Sequence, residues 1–230
     1  MKSTVSILCI FITLNLSLFS NEPDLISQIN DYRISNGLDE LIIEEKLMET
    51  ALQYARVLAE EKRISHVDTE GGRVLDRYRA AGGTAVTAGE ILGTSPETEL
   101  IFEAWKESDS HRELILDPKW YRIGGALAKE GEQVIAVILF SNSQIDELFY
   151  KRLNNSVNVQ IKTIGNIELS FGGFLPVDSV YMKNEDIQIY QVSIFRDQLP
   201  LLIPVSRNFN GIKKITDFLY IPDEILNETH

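Results

Sequence analysis

Two histidines and one glutamate are the residues best placed along the chain to do chemistry. The sequence has three histidines, of which His230 is the last residue and is expected to be solvated. His66 follows a helical segment, His111 lies at the end of another, and Glu90 stands between them, flanked by glycine and apolar residues. Two imidazoles and a carboxylate are the minimum set for a divalent metal site with an open position, or for general acid–base catalysis.

Each of these residues also has a structural explanation. A histidine at a helix end is commonly a cap or a hydrogen-bonded structural residue, and Glu90 can cap the turn that follows it. Glu103, Glu107 and Glu113 lie within about two turns of His111 and are typical of exposed helix charges. Spacing along the chain does not show that the side chains meet, so the site hypothesis depends on the fold.

The elements that must position these residues are predicted from apolar periodicity. His66 directly follows the second of four predicted helices, and His111 lies at the end of the fourth. The first helix is capped by Asp24 and ends at Gly37, the second runs from Glu44 to Lys62, and the third runs from Arg73 to Ala81. The fourth helix has Ser95 as its cap and Pro96 at its first position. Its predicted buried residues are Leu100, Ile101, Ala104 and Trp105.

Two predicted strands follow the helices. They run from Arg122 to Ala128 and from Gln133 to Phe140, joined by a short hairpin loop. The second strand is apolar on both faces, which is typical of a central strand covered by helices on both sides. The segment therefore predicts a three-layer α-β-α arrangement.

Beyond residue 143 the pattern changes to short β-branched and aromatic runs separated by Gly, Asn, Asp and Pro turns. Several short strands with regular breaks indicate a small all-β domain. The predicted fold class is therefore α+β, with a three-layer α-β-α sandwich at 21–143 and a β-rich C-terminal domain at 144–230, whose role the sequence does not reveal. The predicted strands are 157–164, 167–171, 178–182, 187–195, 199–205 and 215–221.

The first twenty residues resemble a signal peptide. The uncharged, mostly apolar run 5–19 follows Lys2 and is shorter than the roughly 20 residues that span a bilayer. A buried helix is the alternative, but the run is apolar on every face rather than along one stripe. Cleavage near Ser20 would remove residues 1–20 together with Cys9. We expect a secreted, periplasmic or cell-surface protein with no stable membrane span after the signal is removed.

Composition narrows the classes of partner. The chain has 22 Lys and Arg residues against 34 Asp and Glu residues, a net charge of −12. This balance argues against nucleic acid as the main partner, because Lys and Arg supply most of the affinity for phosphates. One cysteine excludes a disulfide framework, a four-cysteine zinc site and an iron–sulfur cluster. Most of the excess acid lies within 21–143, which favours a cation over an anionic ligand there.

A series of motifs stands in a fixed order between residues 25 and 141. The order resembles the CAP superfamily, the SCP-like group of cysteine-rich secretory proteins, antigen 5 and pathogenesis-related 1 proteins, and is most similar to its bacterial, cysteine-free branch. The motifs are Asn30-x-x-Arg33-x-x-x-Gly37, Ala51-x-x-x-Ala55, Ser65-His66, Arg73, Gly83, Gly89-Glu90, Trp105-x-x-Ser108-x-x-His111-Arg112 and Ile123-Gly124.

The resemblance implies an α-β-α sandwich with a large central cleft that can hold zinc or another divalent cation. By motif, the cleft is lined by His66, Glu90 and His111, with the two histidines as candidate metal ligands. Ser108 stands where many eukaryotic members have a second acid, which leaves a smaller donor set, and Ile91 replaces the usual asparagine. No cofactor other than a divalent cation is implied.

Two functions of different classes fit these residues. The first is a secreted module that binds a lipid, glycan or protein or interacts with a host or cell surface, in keeping with the roles described for CAP-like proteins. No Ser or Cys stands in a motif that would activate it as a nucleophile. The alternative is a peptidase-like, metal-dependent hydrolase in which His66 and His111 hold the ion and Glu90 is the general base. A shared site would require the three side chains to converge within about 8 Å.

Overall fold

The computed structural model describes residues 25–152, 156–164, 168–169, 177–183, 187–195, 201–209 and 212–221. The predicted signal peptide at 1–20, the Asp24 cap and His230 lie outside these residues. The first nine elements are α1 Leu25–Ser35, β1 Ile42–Ile43, α2 Glu45–Glu61, α3 Val74–Ala80, β2 Ala88–Ser95, α4 Thr98–Glu107, α5 Asp109–Ile115, β3 Arg122–Glu130 and β4 Gln133–Ser141.

A four-stranded sheet in the order β1-β3-β4-β2 forms the middle layer of this part of the chain. Strand β1 is parallel to β3, and the other pairs are antiparallel. Because side chains alternate across a strand, β4 serves both faces: alternate residues from Val134 to Phe140 pack with α1, α4 and α5, and the residues between them pack with α2 and α3. The predicted three-layer α-β-α sandwich is confirmed.

Helix α2 forms as its periodicity predicts. The five apolar residues of its predicted inner face are all buried: Leu47, Ala51, Tyr54, Ala55 and Leu58. The helix ends where Lys62 adopts a left-handed conformation with φ 52°, and the amides of Lys62 and Arg63 donate to the carbonyls of Ala59 and Leu58. This closing motif turns the chain into the loop that carries His66.

The predicted start of the fourth helix is wrong. Ser95 is the last residue of β2, where it pairs with Val134, and α4 begins at Thr98. Pairing of β2 along the whole of β4 takes precedence over the local capping signal of Ser95. The buried stripe of α4 consists of Thr98, Ile101, Phe102 and Trp105, so Leu100, at 52% exposure, and Ala104 lie off it.

The predicted fourth helix is two helices. Ser108 has extended backbone angles and separates α4 from α5. His111 therefore belongs to the first turns of a short helix rather than to the end of a long one. The carboxyl end of α5 is held by the buried Arg33 of α1, which donates to the carbonyls of Ile115 at 2.7 Å and Asp117 at 3.1 Å.

A buried hydrogen-bond network joins α2, α3 and β4. The hydroxyl of Tyr78, in α3, donates to Glu44 at 2.6 Å, and the hydroxyl of Ser141 donates to the other oxygen of Glu44 at 3.1 Å. Burial raises the pKa of Glu44, and both hydrogen bonds act in the opposite direction. Helix α3 is thus fixed on its inner side.

Every described element after residue 144 is a strand. They form two further sheets, ordered β5-β6-β9-β8 and β11-β10-β7. The predicted strand 187–195 is present with the same ends, and the other predicted strands have shifted ends. The predicted strand 167–171 is described only at Glu168–Leu169, and β5 was not predicted. Strand content alone does not make 144–230 a separate domain, and that boundary stays a prediction. The strands are β5 Ile145–Arg152, β6 Ser156–Ile164, β7 Glu168–Leu169, β8 Val177–Lys183, β9 Ile187–Phe195, β10 Leu201–Phe209 and β11 Ile212–Ile221.

None of the helices in the described ranges is both long and apolar enough to cross a membrane.

Helix α2 lies directly against β3 because Gly124, one of two adjacent glycines in β3, has no side chain on that face. A methyl group on Gly124 would meet backbone atoms of Leu47 and Met48 in α2. A methyl group on Gly125 would instead meet the end of the Ile138 side chain. The closest approach of helix to sheet therefore depends on Gly124.

We expect Gly124→Ala to lower the free energy of unfolding by about 3 kcal/mol, because the methyl group presses on rigid backbone. Gly125→Ala is the matched control and should cost about 1 kcal/mol, since a side-chain end can move aside. Urea denaturation of both variants measures the two losses. Equal losses would contradict the view that α2 is packed at its limit on Gly124.

Candidate functional site

The structure brings His66 and Glu90 into contact. Glu90 lies in β2, an edge strand of the first sheet, and its side chain is only 2% exposed. Nδ1 of His66 is 2.8 Å from Oε1 of Glu90, while the His66 side chain is 55% exposed. Because an ionised carboxylate only accepts hydrogen bonds, Nδ1 of His66 is the donor in this contact.

Arg77 of α3 neutralises the buried carboxylate. Its Nη2 is 2.5 Å from Oε2 of Glu90, and its Nη1 donates to the carbonyl of Gly72 at 3.0 Å. The guanidinium lies 3.5 Å from the ring centroid of Tyr54. The sequence analysis missed Arg77. The signal for it was Glu90 itself, because a carboxylate among apolar residues requires a cationic partner.

Tyr54 contacts both Arg77 and the loop that carries His66. Its ring lies under the Arg77 guanidinium, and its hydroxyl donates to the carbonyl of Ser65 at 2.6 Å. The hydroxyl of Ser65 in turn donates to the carbonyl of Val67 at 2.7 Å. Both residues that flank His66 are therefore hydrogen-bonded, so the loop presents the imidazole in one position. Burial raises the pKa of Tyr54, which keeps its hydroxyl protonated as a donor.

Ser108 and His111 form a second contact. Nδ1 of His111 is 2.9 Å from Oγ of Ser108. Trp105 fixes the end of α4 by donating from its indole nitrogen to the carbonyl of Leu92 at 2.9 Å. Burial lowers the pKa of His111, and the charge of His66 lowers it further. The structure thus shows two separate contact pairs, His66 with Glu90 and His111 with Ser108, and the effect of the His66 charge on the pKa of His111 is what links them.

The nitrogen donors fit a divalent cation in type. Both imidazoles use Nδ1 for a protein contact, so Nε2 is the nitrogen left for a ligand in each. A carboxylate behind the imidazole is the arrangement that orients metal-binding histidines. Glu90 has both oxygens engaged, and in the described ranges no group of three or more His, Cys, Asp or Glu side chains could hold an ion. Two imidazoles fit a cation that keeps exchangeable ligands, not a closed four-ligand site.

An open cavity of about 430 Å³ lies beside the site. It shares Tyr54 and Arg77 with the site but does not include His66, Glu90 or His111 in its lining. Three carboxylates give this cavity an acidic rim. The lining residues are Glu49, Thr50, Gln53, Tyr54, Val57, Asp68, Thr69, Glu70, Arg77, Ala80 and Ala81.

The sequence matches one family and two bacterial relatives over about half of its length. The model of the cysteine-rich secretory protein family, CAP, matches residues 26–140. The chain is 30% identical over 117 residues to an uncharacterized protein of Borreliella burgdorferi. This alignment covers 50% of this chain and 75% of that protein. It is 28% identical over 116 residues to the uncharacterized protein YkwD of Bacillus subtilis, and it spans only 45% of that protein.

Solved structures include similar chains. One is an outer surface protein from Borrelia burgdorferi, with a TM-score of 0.48, 30% identity, and coverage of 51% of this chain and 88% of that chain. Another is an extracellular protein containing an SCP domain from Bacillus anthracis, with a TM-score of 0.48, 17% identity, and coverage of 52% and 39%.

We expect Glu90→Gln to lower the free energy of unfolding by about 3 kcal/mol, because the neutral amide no longer compensates the buried Arg77 charge, which keeps only the longer contact to Asp68 at 3.7 Å. Arg77→Met should cost a similar amount, and the double variant should cost less than the sum by at least about 1 kcal/mol. Chemical denaturation of the four proteins completes the cycle. Arg56→Met, an exposed position on α2, serves as the control and should change little. Additive losses would show that the two side chains do not stabilise each other.

We expect the His111 imidazole to titrate below its ordinary pKa of 6.5. His66→Ala should move the pKa of His111 only part of the way back, because burial, the larger cause, remains. Since folding lowers this pKa, the contribution of His111 to stability is complete above pH 6.5 and is lost as the pH falls. An NMR titration measures the pKa values, with His230→Ala to assign the signals. An unchanged His111 pKa in His66→Ala would contradict the proximity of the imidazoles.

Proposed function

The chain belongs to the cysteine-rich secretory protein (CAP) family, in its cysteine-poor bacterial branch, and from this membership we propose that it is an exported ligand-binding or surface-interaction protein. Export is proposed from the family and from the apolar run 5–19. The binding site is the cleft formed by His66, Glu90, Ser108 and His111. Its ligand is a lipid, a glycan or a protein, and not a nucleic acid, given the net charge of −12.

The observation that carries this proposal is the engagement of both Glu90 oxygens. One oxygen is 2.5 Å from Arg77 and the other is 2.8 Å from His66. A carboxylate that is held in this way and is only 2% exposed orients a neighbouring group and has little access to water, whereas a general base must lie within hydrogen-bond reach of the proton it removes. The geometry favours binding over general-base catalysis.

A divalent cation such as zinc is the proposed partner of the two imidazoles. His66 and His111 would hold it through Nε2, with Glu90 and Ser108 fixing the two rings from behind. When bound, the cation supplies a Lewis-acidic centre whose remaining positions can take an oxygen or nitrogen atom of the ligand. The acidity of the segment 21–143 supports a cation here, because excess negative charge raises the local cation concentration.

The alternative is a metal-dependent hydrolase of the peptidase type at the same cleft. The two imidazoles and the exchangeable positions around the cation favour it. It requires Glu90 to leave Arg77 in order to act as the general base on metal-bound water. Peptidase activity that disappears in Glu90→Gln, in a protein that remains folded, would support the hydrolase over the binding module.

We expect the protein to bind about one zinc ion with a dissociation constant in the micromolar range, because only two protein ligands are available. His66→Ala and His111→Ala should each abolish this binding. Glu90→Gln should weaken it by about 10-fold or more, as for other residues that orient metal-binding histidines. Isothermal titration with zinc, supported by metal analysis, measures the stoichiometry and affinity.

The control is His230→Ala, which removes a histidine that the proposed site does not use and should leave zinc binding unchanged. Absence of binding at micromolar zinc would remove both the cation and the hydrolase alternative. Zinc binding that survives in both cleft variants would place the ion elsewhere.

A further inference from the structure

The connection between the family region and the C-terminal strands is buried. The guanidinium of Arg122, a buried residue of β3, donates to the carbonyls of Ser143 at 3.3 Å and Ile145 at 2.5 Å. Ser143 and Gln144 are both only 6% exposed. Linkers between independent domains are exposed and make few contacts. The start of β5 is therefore fixed against the first sheet.

Strand β11 contacts the segment between α3 and β2. The amide of Tyr220 donates to the carbonyl of Thr84 at 2.8 Å. The guanidinium of Arg79, in α3, lies 4.5 Å from the ring centroid of Tyr220. Nε of Arg79 is buried, and within the part of the chain that the structure describes it has no hydrogen-bond partner. The ring face of Tyr220 is thus an electrostatic contact for the Arg79 guanidinium.

Helix α3 carries one arginine toward each of its two neighbours. Arg77 and Arg79 are two positions apart, which is about 200° around a helix, so they project in nearly opposite directions. Arg77 contacts Glu90 of the cleft, whereas Arg79 contacts Tyr220. A helix of seven residues is too short to be stable alone, so its position depends on such contacts and on Tyr78.

We infer that strand β11 is a positioning element of the cleft. Through Tyr220 it holds α3 and the segment 81–87 in the position in which Arg77 pairs with Glu90. The segment joins α3 to β2, so Tyr220 fixes the piece of chain that connects the two members of the ion pair. This inference rests on the proposed function for its biological meaning. It assigns a role to residues that lie beyond the family match, which ends at residue 140.

The expected consequence follows from the burial of Glu90. If α3 moves and Arg77 releases Glu90, one carboxylate oxygen is left buried and unpaired, which is unfavourable. The carboxylate then turns toward water or binds a proton. Either change weakens its hydrogen bond from Nδ1 of His66. His66 therefore loses its fixed Nδ1-protonated form, whereas the His111 ring, which contacts Ser108 and not Glu90, keeps its environment.

The test is the ¹⁵N chemical shifts of the imidazole nitrogens in the full chain, recorded at a pH above the titration of the histidines. Arg77→Met calibrates the full effect on His66. Tyr220→Ala should move the His66 shifts in the same direction, to values between wild type and Arg77→Met. Tyr220→Phe keeps the ring face and should match the wild type. The His111 shifts serve as the internal control.

Arg79→Met provides a second route to the same result if Tyr220→Ala does not fold, because it removes the contact between the guanidinium and the Tyr220 ring and leaves the Tyr220 side chain in place. The inference is overturned if Tyr220→Ala and Arg79→Met leave the His66 shifts at wild-type values, or if they move His66 and His111 alike. Zinc titration separates the two proposals: His66 shifts that respond without any zinc binding support the inference and contradict the cation site.

Discussion

The arrangement of the site depends on one buried charge, the carboxylate of Glu90. A carboxylate that is 2% exposed must be matched by a cation and by hydrogen bonds, because an unpaired buried charge is strongly destabilising. Arg77 supplies the cation, and Tyr54 supports its guanidinium. Oε1 of Glu90, the oxygen not paired with Arg77, fixes His66. The position of α3, the shape of the His66 loop and the direction of the His66 ring all follow from this requirement.

The sequence was sufficient to predict the elements whose apolar pattern directly reflects which residues are buried. The unbroken apolar run of β4 and the periodic face of α2 predicted the three layers, and the ordered motifs predicted the family. The start of the fourth helix was predicted wrongly at Ser95. A helix-cap signal depends only on neighbouring residues, whereas the pairing of β2 with β4 that includes Ser95 depends on residues distant in the sequence. Arg77 was missed because its partner, Glu90, is distant in the sequence and only the fold reveals that the two side chains meet.

The motif residues of the family divide into those that build the scaffold and those that face the cleft. Arg33 holds the end of α5, and Gly124 admits α2 to the sheet. His66 and His111 each use Nδ1 for a protein contact, and the proposed binding site would use Nε2 of each. The C-terminal strands stand outside the family match, yet their buried connection and the Tyr220 contacts link them to α3, which supplies Arg77 to the cleft.

The central claim is that the buried carboxylate sets the protonation form of His66, and NMR measures this directly. In the wild-type protein, above the titration of the histidines, the ¹⁵N shifts of His66 should show a protonated Nδ1 and a bare Nε2. That form leaves Nε2 available to a cation or another ligand. A His66 protonated at Nε2 would contradict the account, since Glu90 would then not orient the ring.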